Sequence, residues 1–491
     1  MSSEVYKKVS GASWLQKPIP ILIMLGVQLV MAYGIATKGL SIGILGIALP
    51  IVISFVLAVM LYPQIGFYTL FFQAFVILGA SRYVPAQWGL TIDGVLFLMY
   101  GSLFFKTFHQ DVPWEKAKSD ITLVAFIWYG YLLFQIVNPE AASRAAWFYA
   151  MRGLGLYMLL IIPLILIIFD KRQHMHGFFI IWGIMSFLGT LKGAQQLILG
   201  PDPFEQAWLD KGAAETHILF GKLRVFSFYS DAGQFGGAQA HAGVVFGILA
   251  LAQNRNFWLR VFYIVVALGG IYGMFISGTR GAIAVPIMGG ALYFVLKKNI
   301  YVMVIGAIMG IAFIGFFKYT TIGNNIDQIR RMRTAFDPED KSLQVRLENQ
   351  RKLKSYLASR PIGGGIGSSG NWGRRFSPNT FLANTPTDSW YVMIWAELGI
   401  VGLLLHLGVL FYILGKACYL AMFKIRDDWI RGTTTAMACG MFGVMVASYG
   451  NGVLGQFPTG PMIYASMAFM FLSTRMDEEA QAEKATATAE P

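Results

Sequence analysis

The chain has 491 residues, of which 56% are hydrophobic and only 13% charged, with a formal net charge of +13 at neutral pH. Soluble domains carry roughly 25% charged residues, so this composition excludes an ordinary water-soluble fold, and the mean hydropathy of +0.55 agrees. The two cysteines, Cys418 and Cys439, lie near neither a second cysteine nor a histidine at metal-ligand spacing, which excludes a disulfide framework and a zinc site.

Apolar runs long enough to cross a bilayer of about 30 Å recur along almost the whole sequence. In chain order they cover 18–36, 40–62, 65–81, 90–107, 119–137, 150–170, 175–197, 233–252, 258–276, 281–297, 299–317, 388–415, 432–450 and 454–474. Barrel strands need only about 10 alternating residues, so the expected fold is all-α, a polytopic bundle of about fourteen transmembrane helices. The first run begins after Lys17 and a second follows at once, so it reads as a span rather than a cleaved leader.

Lysine and arginine set the orientation. With the N-terminus inside, the inner segments hold Lys7, Lys8 and Lys17, then Lys106, Lys116 and Lys118, Lys171 and Arg172, Arg255 and Arg260, Lys297 and Lys298, Lys416 to Arg431, and Arg475 with Lys484. The short outer turns carry little beyond Lys38, Arg82 and Arg144. Both termini are therefore expected in the cytoplasm, as segments 1–17 and 475–491. The Glu- and Ala-rich tail after Met476 reads as solvated or disordered.

Two outer segments are long, 198–232 and 318–387. The second has room for a subdomain between spans 11 and 12, separating the spans of 18–317 from those of 388–474. It carries twelve basic and five acidic residues. Long loops are exempt from the orientation rule. The excess suits either an anionic substrate such as a pyrophosphate or anionic lipid headgroups.

Four outer features carry candidate chemistry. In Ser277-Gly278-Thr279-Arg280-Gly281, Arg280 sits at the membrane edge, as a snorkelling anchor or as a fork for two phosphate oxygens. The segment Lys222 to Gly233 gathers Lys222, Arg224, hydroxyls and Asp231 at a helix entrance, where Asp231 is either a cap or part of a site. Residues 342–361 form an amphipathic helix on Leu343, Leu347, Leu353 and Leu357, decorated by Arg346, Arg351, Lys352 and Lys354 and ended by Pro361. The glycines that follow match G-x-G-x-x-G at 365–370, but no βαβ unit surrounds them, so they form either a phosphate-approaching turn or a plain flexible one.

The fourth feature is Asp388-Ser389 at the start of the twelfth span, followed by Glu397, Gly399 and Gly402. Nine residues of helix turn about 900° and rise about 13.5 Å, so Asp388 and Glu397 cannot form a carboxylate pair. Asp388 is then a lone general base or a helix cap. Glu397 is expected to have a structural partner, and the two glycines to permit close helix packing. The run Asp337-Pro338-Glu339-Asp340 reads as an exposed turn, and no paired acidic motif stands near the arginines, so neither a metal nor another cofactor is expected.

In this order, the four features resemble the O-antigen ligase and polymerase superfamily of bacterial membrane glycosyltransferases, over roughly residues 215–450. The Ser277–Gly281 turn is similar to the family's arginine turn, and Arg346 ahead of the 361–367 stretch to its loop arginine. The ligase branch carries a His, then Asn, Ser or Gln, nine residues, Gly, two residues and Gly. Ser389, Gly399 and Gly402 fit that spacing, with Asp388 in the His position.

The resemblance implies an inner-membrane enzyme acting on the periplasmic face. Its donor would be an undecaprenyl-diphosphate-linked oligosaccharide, its acceptor a glycan or lipid-A core, and its surroundings membrane lipids, with no nucleic acid. It also implies arginines on the diphosphate, and Asp388 beside the acceptor hydroxyl. Two extra N-terminal spans and the Asp lean the reading to a polymerase of exopolysaccharide, capsule or O-antigen. The chemistry is coherent without the name. Arg224, Arg280 and Arg346 would stabilise the departing diphosphate, and Asp388 would accept the proton. The rival reading is a transporter or flippase of lipid-linked sugars. Transporters show internal repeats and midplane charges. This chain shows no repeat, and few polar candidates within spans (Asp93, Lys192, His241, Glu397 and His406).

Overall fold

A computed structural model describes residues 18–489 except 85, 87, 220, 254, 255, 326, 335–338 and 340. Lys7, Lys8, Lys17, Arg255 and most of the acidic run Asp337–Asp340 therefore lie outside the described residues. The chain is 79% helical with almost no strand, an all-α polytopic bundle. Eleven long helices come first: α1 (Pro18–Lys38), α2 (Leu40–Leu61), α3 (Pro63–Tyr83), α4 (Gly89–Lys106), α5 (Asp120–Phe134), α6 (Arg144–Ile168), α7 (Arg172–Leu199), α8 (Ala232–Ala252), α9 (Phe257–Ile276), α10 (Ala284–Leu296) and α11 (Ile300–Tyr319). Three shorter ones follow, α12 (Asp327–Arg333), α13 (Lys341–Leu357) and α14 (Gly370–Phe376). The chain then returns through α15 (Trp390–Tyr419), α16 (Asp428–Ala447) and α17 (Thr459–Ala489).

Every apolar run read from the sequence falls on one of these long helices. Ten helices among the described residues are long and apolar enough to cross a membrane. The stretches Gly26–Thr37, within α1, and Arg280–Leu296 are shorter apolar helices. Burial separates the helices by role. Only 6% of the apolar stretch of α2 and 11% of that of α11 is buried against protein, against 83% for α8. A helix that is apolar all round yet exposed belongs against lipid. Helix α8 is the hub, and small residues let its neighbours approach, as membrane helices require without water to drive them together. A Cβ on Gly270 of α9 would lie 2.6 Å from the Gln239 carbonyl of α8, and one on Gly289 of α10 would lie 2.8 Å from the Cys439 carbonyl of α16.

The two sets of loops assigned to opposite sides gather at opposite ends of the bundle. At one end Lys116 pairs with Asp170 at 3.2 Å, Arg172 and Lys484 both pair with Asp427 at 3.1 and 3.0 Å, and Lys416 pairs with Asp120. At the other end Arg82 binds the Ser227 and Tyr229 carbonyls, Arg360 pairs with Glu140 at 2.8 Å, and Trp390 N donates to the Ser448 carbonyl at 3.0 Å. The tail after Met476 is not disordered: it continues α17 to Ala489. Buried Asp477 there accepts N–H bonds from Arg426 and Asp427, which fixes the tail to the entrance of α16.

Candidate active site

The loop before α8 is held from below by a polar layer. Gln196 of α7 accepts N–H bonds from Phe226 and Ser227 at 3.2 and 2.8 Å, and is itself bonded to Glu205 at 2.8 Å. Lys192 pairs with Asp202 at 2.9 Å and with Glu205 at 3.2 Å. A two-residue hairpin, β1 (Ile218–Leu219) and β2 (Lys222–Leu223), turns the chain. Arg224 N then donates to the His217 carbonyl at 2.8 Å, which sets Arg224 in place.

The arginine turn packs on the small-residue face of α8. Gly278 has φ 59°, the left-handed region that glycine adopts freely. Thr279 Oγ1 donates to the Ala232 carbonyl at 2.8 Å, and Thr279 N donates to Ser277 Oγ at 3.1 Å. Arg280 therefore begins a short 3-10 turn at the mouth of the bundle and donates to Thr334 Oγ1 at 2.8 Å. Thr334 in turn bonds the Arg331 carbonyl at 2.8 Å, at the end of α12. A Cβ on Gly278 would lie 3.5 Å from Arg331 Nη1, so that guanidinium covers the turn.

Three half-buried guanidiniums thus share one place, Arg224, Arg280 and Arg331. Burial, and then the charges of Arg331 and Arg280, push the Arg224 guanidinium below its usual range, against the pull of Asp231. Burial and Arg280 do the same to Arg331. Arg224 Nε is buried and without a hydrogen-bond partner among the described residues. Gathering like charges out of water is unfavourable unless an anion joins them. Asp231 is the nearby carboxylate, and it caps α8: its Oδ1 accepts the Gln234 N–H at 3.0 Å and its Oδ2 the Ser230 hydroxyl at 2.8 Å.

The long loop between α11 and α15 supplies the second group. Leu353 and Leu357 of α13 are buried against Leu382, Val392 and Ala396, which seats the helix on the start of α15. Its polar face brings Arg346 Nε to 3.5 Å from Asp388 Oδ2. Asp388 is half exposed and does not cap the helix. That role falls to Ser389, whose Oγ accepts the Val392 N–H at 3.5 Å. The structure places Lys222 exposed on β2, and Arg351 exposed on α13 about 140° around the helix from Arg346. Both lie outside the two groups.

The glycine-rich stretch has a structural task. Gly399 leaves the helical region at φ 69° and breaks α15. Val401 N then donates to the Pro361 carbonyl at 3.3 Å, and the freed Ala396 and Glu397 carbonyls accept from Gly364 and Gly365, both at 2.9 Å. Gly363, Gly365 and Gly367 all take positive φ to fit this seat. The Glu397 carboxylate fills the turn, accepting from Gly367 N at 2.9 Å, Ser369 N at 3.2 Å and Ser369 Oγ at 2.7 Å. These N–H groups face the protein's own carboxylate, so the stretch is neither a phosphate cradle there nor a free turn. Glu397 has the structural partner expected of it. Gly402 faces Tyr131 of α5, where a Cβ would meet the ring at 2.9 Å, while Gly399 serves the break rather than helix packing.

The C-terminal end of α16 joins both groups. Ser448 accepts bonds from Ser389 and Trp390. A Cβ on Gly233 would lie 2.9 Å from Asn451 Nδ2, and one on Gly281 would lie 3.9 Å from it, so the Asn451 amide sits between the cap of α8 and the arginine turn. Arg331 and Asn451 were not singled out in the sequence. Arg331 lies in Arg330-Arg331-Met332-Arg333, where spacing does not tell which arginine turns inward.

This fold and this site define a multi-pass helical membrane protein with a cluster of half-buried arginines at one mouth of the bundle. Residues 262–407 match the family described as O-antigen ligase. The match supports membership of the chain in the O-antigen ligase and polymerase superfamily, and with it a membrane enzyme of that type. The matched segment contains Arg280, Arg331, Arg346 and Asp388 and leaves out Lys222, Arg224 and Asp231. No curated protein matches the chain.

Proposed function

We propose that this chain is a bacterial inner-membrane glycosyltransferase that joins undecaprenyl-diphosphate-linked glycans on the periplasmic face, with both termini in the cytoplasm. The observation that carries the reading is the convergence of Arg224, Arg280 and Arg331, half-buried, at the mouth of the bundle. A diphosphate arriving from the membrane with its lipid is an anion that suits this gathering of positive charge. Guanidinium forks match its oxygens, and the charge that grows on the leaving oxygen meets donors already in place.

Asp388 takes the proton of the acceptor hydroxyl. The hydroxyl oxygen bonds to the anomeric carbon, the bond from that carbon to the phosphate oxygen breaks, and undecaprenyl diphosphate departs. Arg346 positions the Asp388 carboxylate. No metal takes part in this scheme. Asp388, where the ligase pattern has His, favours a polymerase of repeat units over a ligase. The transporter reading is weaker, because Asp93, Lys192 and Glu397 all have structural partners rather than facing a path: Asp93 pairs with Arg152 at 2.6 Å, Lys192 with Asp202, and Glu397 with the glycine seat.

The lipid-linked and surface glycans of a deletion strain test this function. Accumulated single repeat units on the lipid support the polymerase, accumulated long chains the ligase. An unchanged glycan profile refutes both.

A further inference from the structure

A cavity of about 340 Å³ lies between the two groups. One wall is apolar, from Leu154 of α6 and from Trp390 and Met393 of α15. The other is polar, from Asn371, Arg374 and Gln456, with Trp372 beside them. Its position follows from its neighbours. Gln456 accepts the Ser230 hydroxyl at 3.0 Å, next to Asp231 and the arginines. Trp390 follows Asp388 by two residues and is the first residue of α15.

Both indoles are fixed. Trp390 donates to His406 Nε2 at 3.0 Å, and its ring lies so close to Gly455 that any side chain there would clash. Trp372 stacks on Tyr149 of α6 with centroids 5.1 Å apart and planes 18° from parallel, beside Phe376. Among the described lining residues two are charged and of opposite sign: Arg374, whose guanidinium bonds Asn371 Oδ1 at 2.7 Å, and Glu397, whose carboxylate is taken up by the glycine seat. The charge is suited to an uncharged ligand beside a charged site rather than to a second phosphate. The shape matches a pyranose: apolar C–H faces against rigid aromatic walls, and hydroxyls at the ring edge against amides.

We propose that this cavity is the acceptor subsite, holding a neutral sugar ring of the acceptor glycan with Trp372 as its stacking wall and Gln456 as a hydroxyl partner. This rests on the transferase reading above and adds to it the acceptor's chemical class and seat. It assigns the sugar to a site apart from the diphosphate, so a free oligosaccharide binds without the arginines.

The probe is the oligosaccharide released by mild acid from the lipid-linked glycan of a deletion strain, radiolabelled at its reducing end. Equilibrium binding is measured on the full chain in lipid nanodiscs. Trp372→Ala and Gln456→Leu each weaken binding by about tenfold or more, the scale of one lost stacking or hydrogen-bonding contact. Trp372→Phe keeps it within about threefold, since a flat apolar wall remains. Each variant is compared at unchanged melting temperature, and if Trp372→Ala does not fold, Gln456→Leu decides. Wild-type affinity in both, or no saturable binding to the wild type, overturns the subsite. Arg280→Ala separates the two ideas: it binds the free oligosaccharide normally, and if it also transfers glycan at the full rate, the diphosphate clamp falls while the sugar subsite stands.

Discussion

Replacing Glu397 by Gln tests how the glycine-rich stretch of the long loop is held on the bundle. The carboxylate accepts three bonds, from Gly367 N, Ser369 N and Ser369 Oγ, in a buried seat. An amide keeps one oxygen but turns its NH2 group toward a backbone N–H. One or two charge-assisted bonds are lost, each worth roughly 1.5–3 kcal/mol, and a donor is left facing a donor. A loss of about 2–4 kcal/mol follows, with the backbone bonds between 361–365 and the break in α15 left intact. The effect is local, so it appears as easier opening of the seat rather than loss of the fold. Hydrogen exchange of peptides spanning 364–370 reads that opening. Since each 1.4 kcal/mol is tenfold, exchange there quickens by roughly 30- to 700-fold, while peptides from α8 stay unchanged. Glu397→Asp, with a shorter reach, falls between. Exchange equal to wild type in the Gln variant refutes the claim that Glu397 fastens the glycine stretch.

Arg331→Ala lowers transfer by about tenfold or more, the scale of one charge-assisted bond, and Lys rescues only in part because it lacks the planar fork; the check is initial rate on lipid-linked glycan at matched protein level. Asp388→Asn lowers turnover by about 100-fold or more with donor binding unchanged. Because its pair with Arg346 is half exposed, the same variant keeps the wild-type melting temperature to within a small shift. Cysteines placed at 341–360 react with an impermeant thiol reagent in spheroplasts, and cysteines at 424–431 do not; the reverse pattern inverts the proposed orientation. Transfer continues at the same rate in excess chelator, and a loss reversed by added divalent cation refutes the metal-free scheme.

The helices were legible because each span is a long apolar run, and a run reads the same whatever it packs against. The seat of the glycine stretch was not. The literal G-x-G-x-x-G at 365–370 suggested a phosphate turn, but its purpose depends on Gly399, about thirty residues on, whose break in α15 offers free carbonyls. Of the two readings of the tail, solvated or disordered, the first holds: it is a largely exposed helix, and what composition does not show is that Asp477 and Lys484 tie it to the 426–427 backbone and the Asp427 carboxylate. In the candidate site, Arg280 and Arg224 stood out by their place at helix mouths. Arg346 and Asp388 were chosen separately, and only the fold puts them 3.5 Å apart. Asn451 and Gln456 sit in a short turn after α16 with no periodicity, and no charged motif marks them.

The central claim is that the arginines at the mouth of the bundle hold a lipid-linked diphosphate for glycosyl transfer. The most direct measurement reconstitutes the purified chain in liposomes with lipid-linked glycan isolated from a deletion strain, and follows glycan length and released undecaprenyl diphosphate for wild type and Arg280→Ala. The account predicts joined glycan with release of the lipid diphosphate from the wild type, and neither product from an Arg280→Ala protein that is folded and present in equal amount. Joined glycan at the wild-type rate from Arg280→Ala would contradict it, as would a wild type that moves the lipid-linked glycan across the bilayer without joining it.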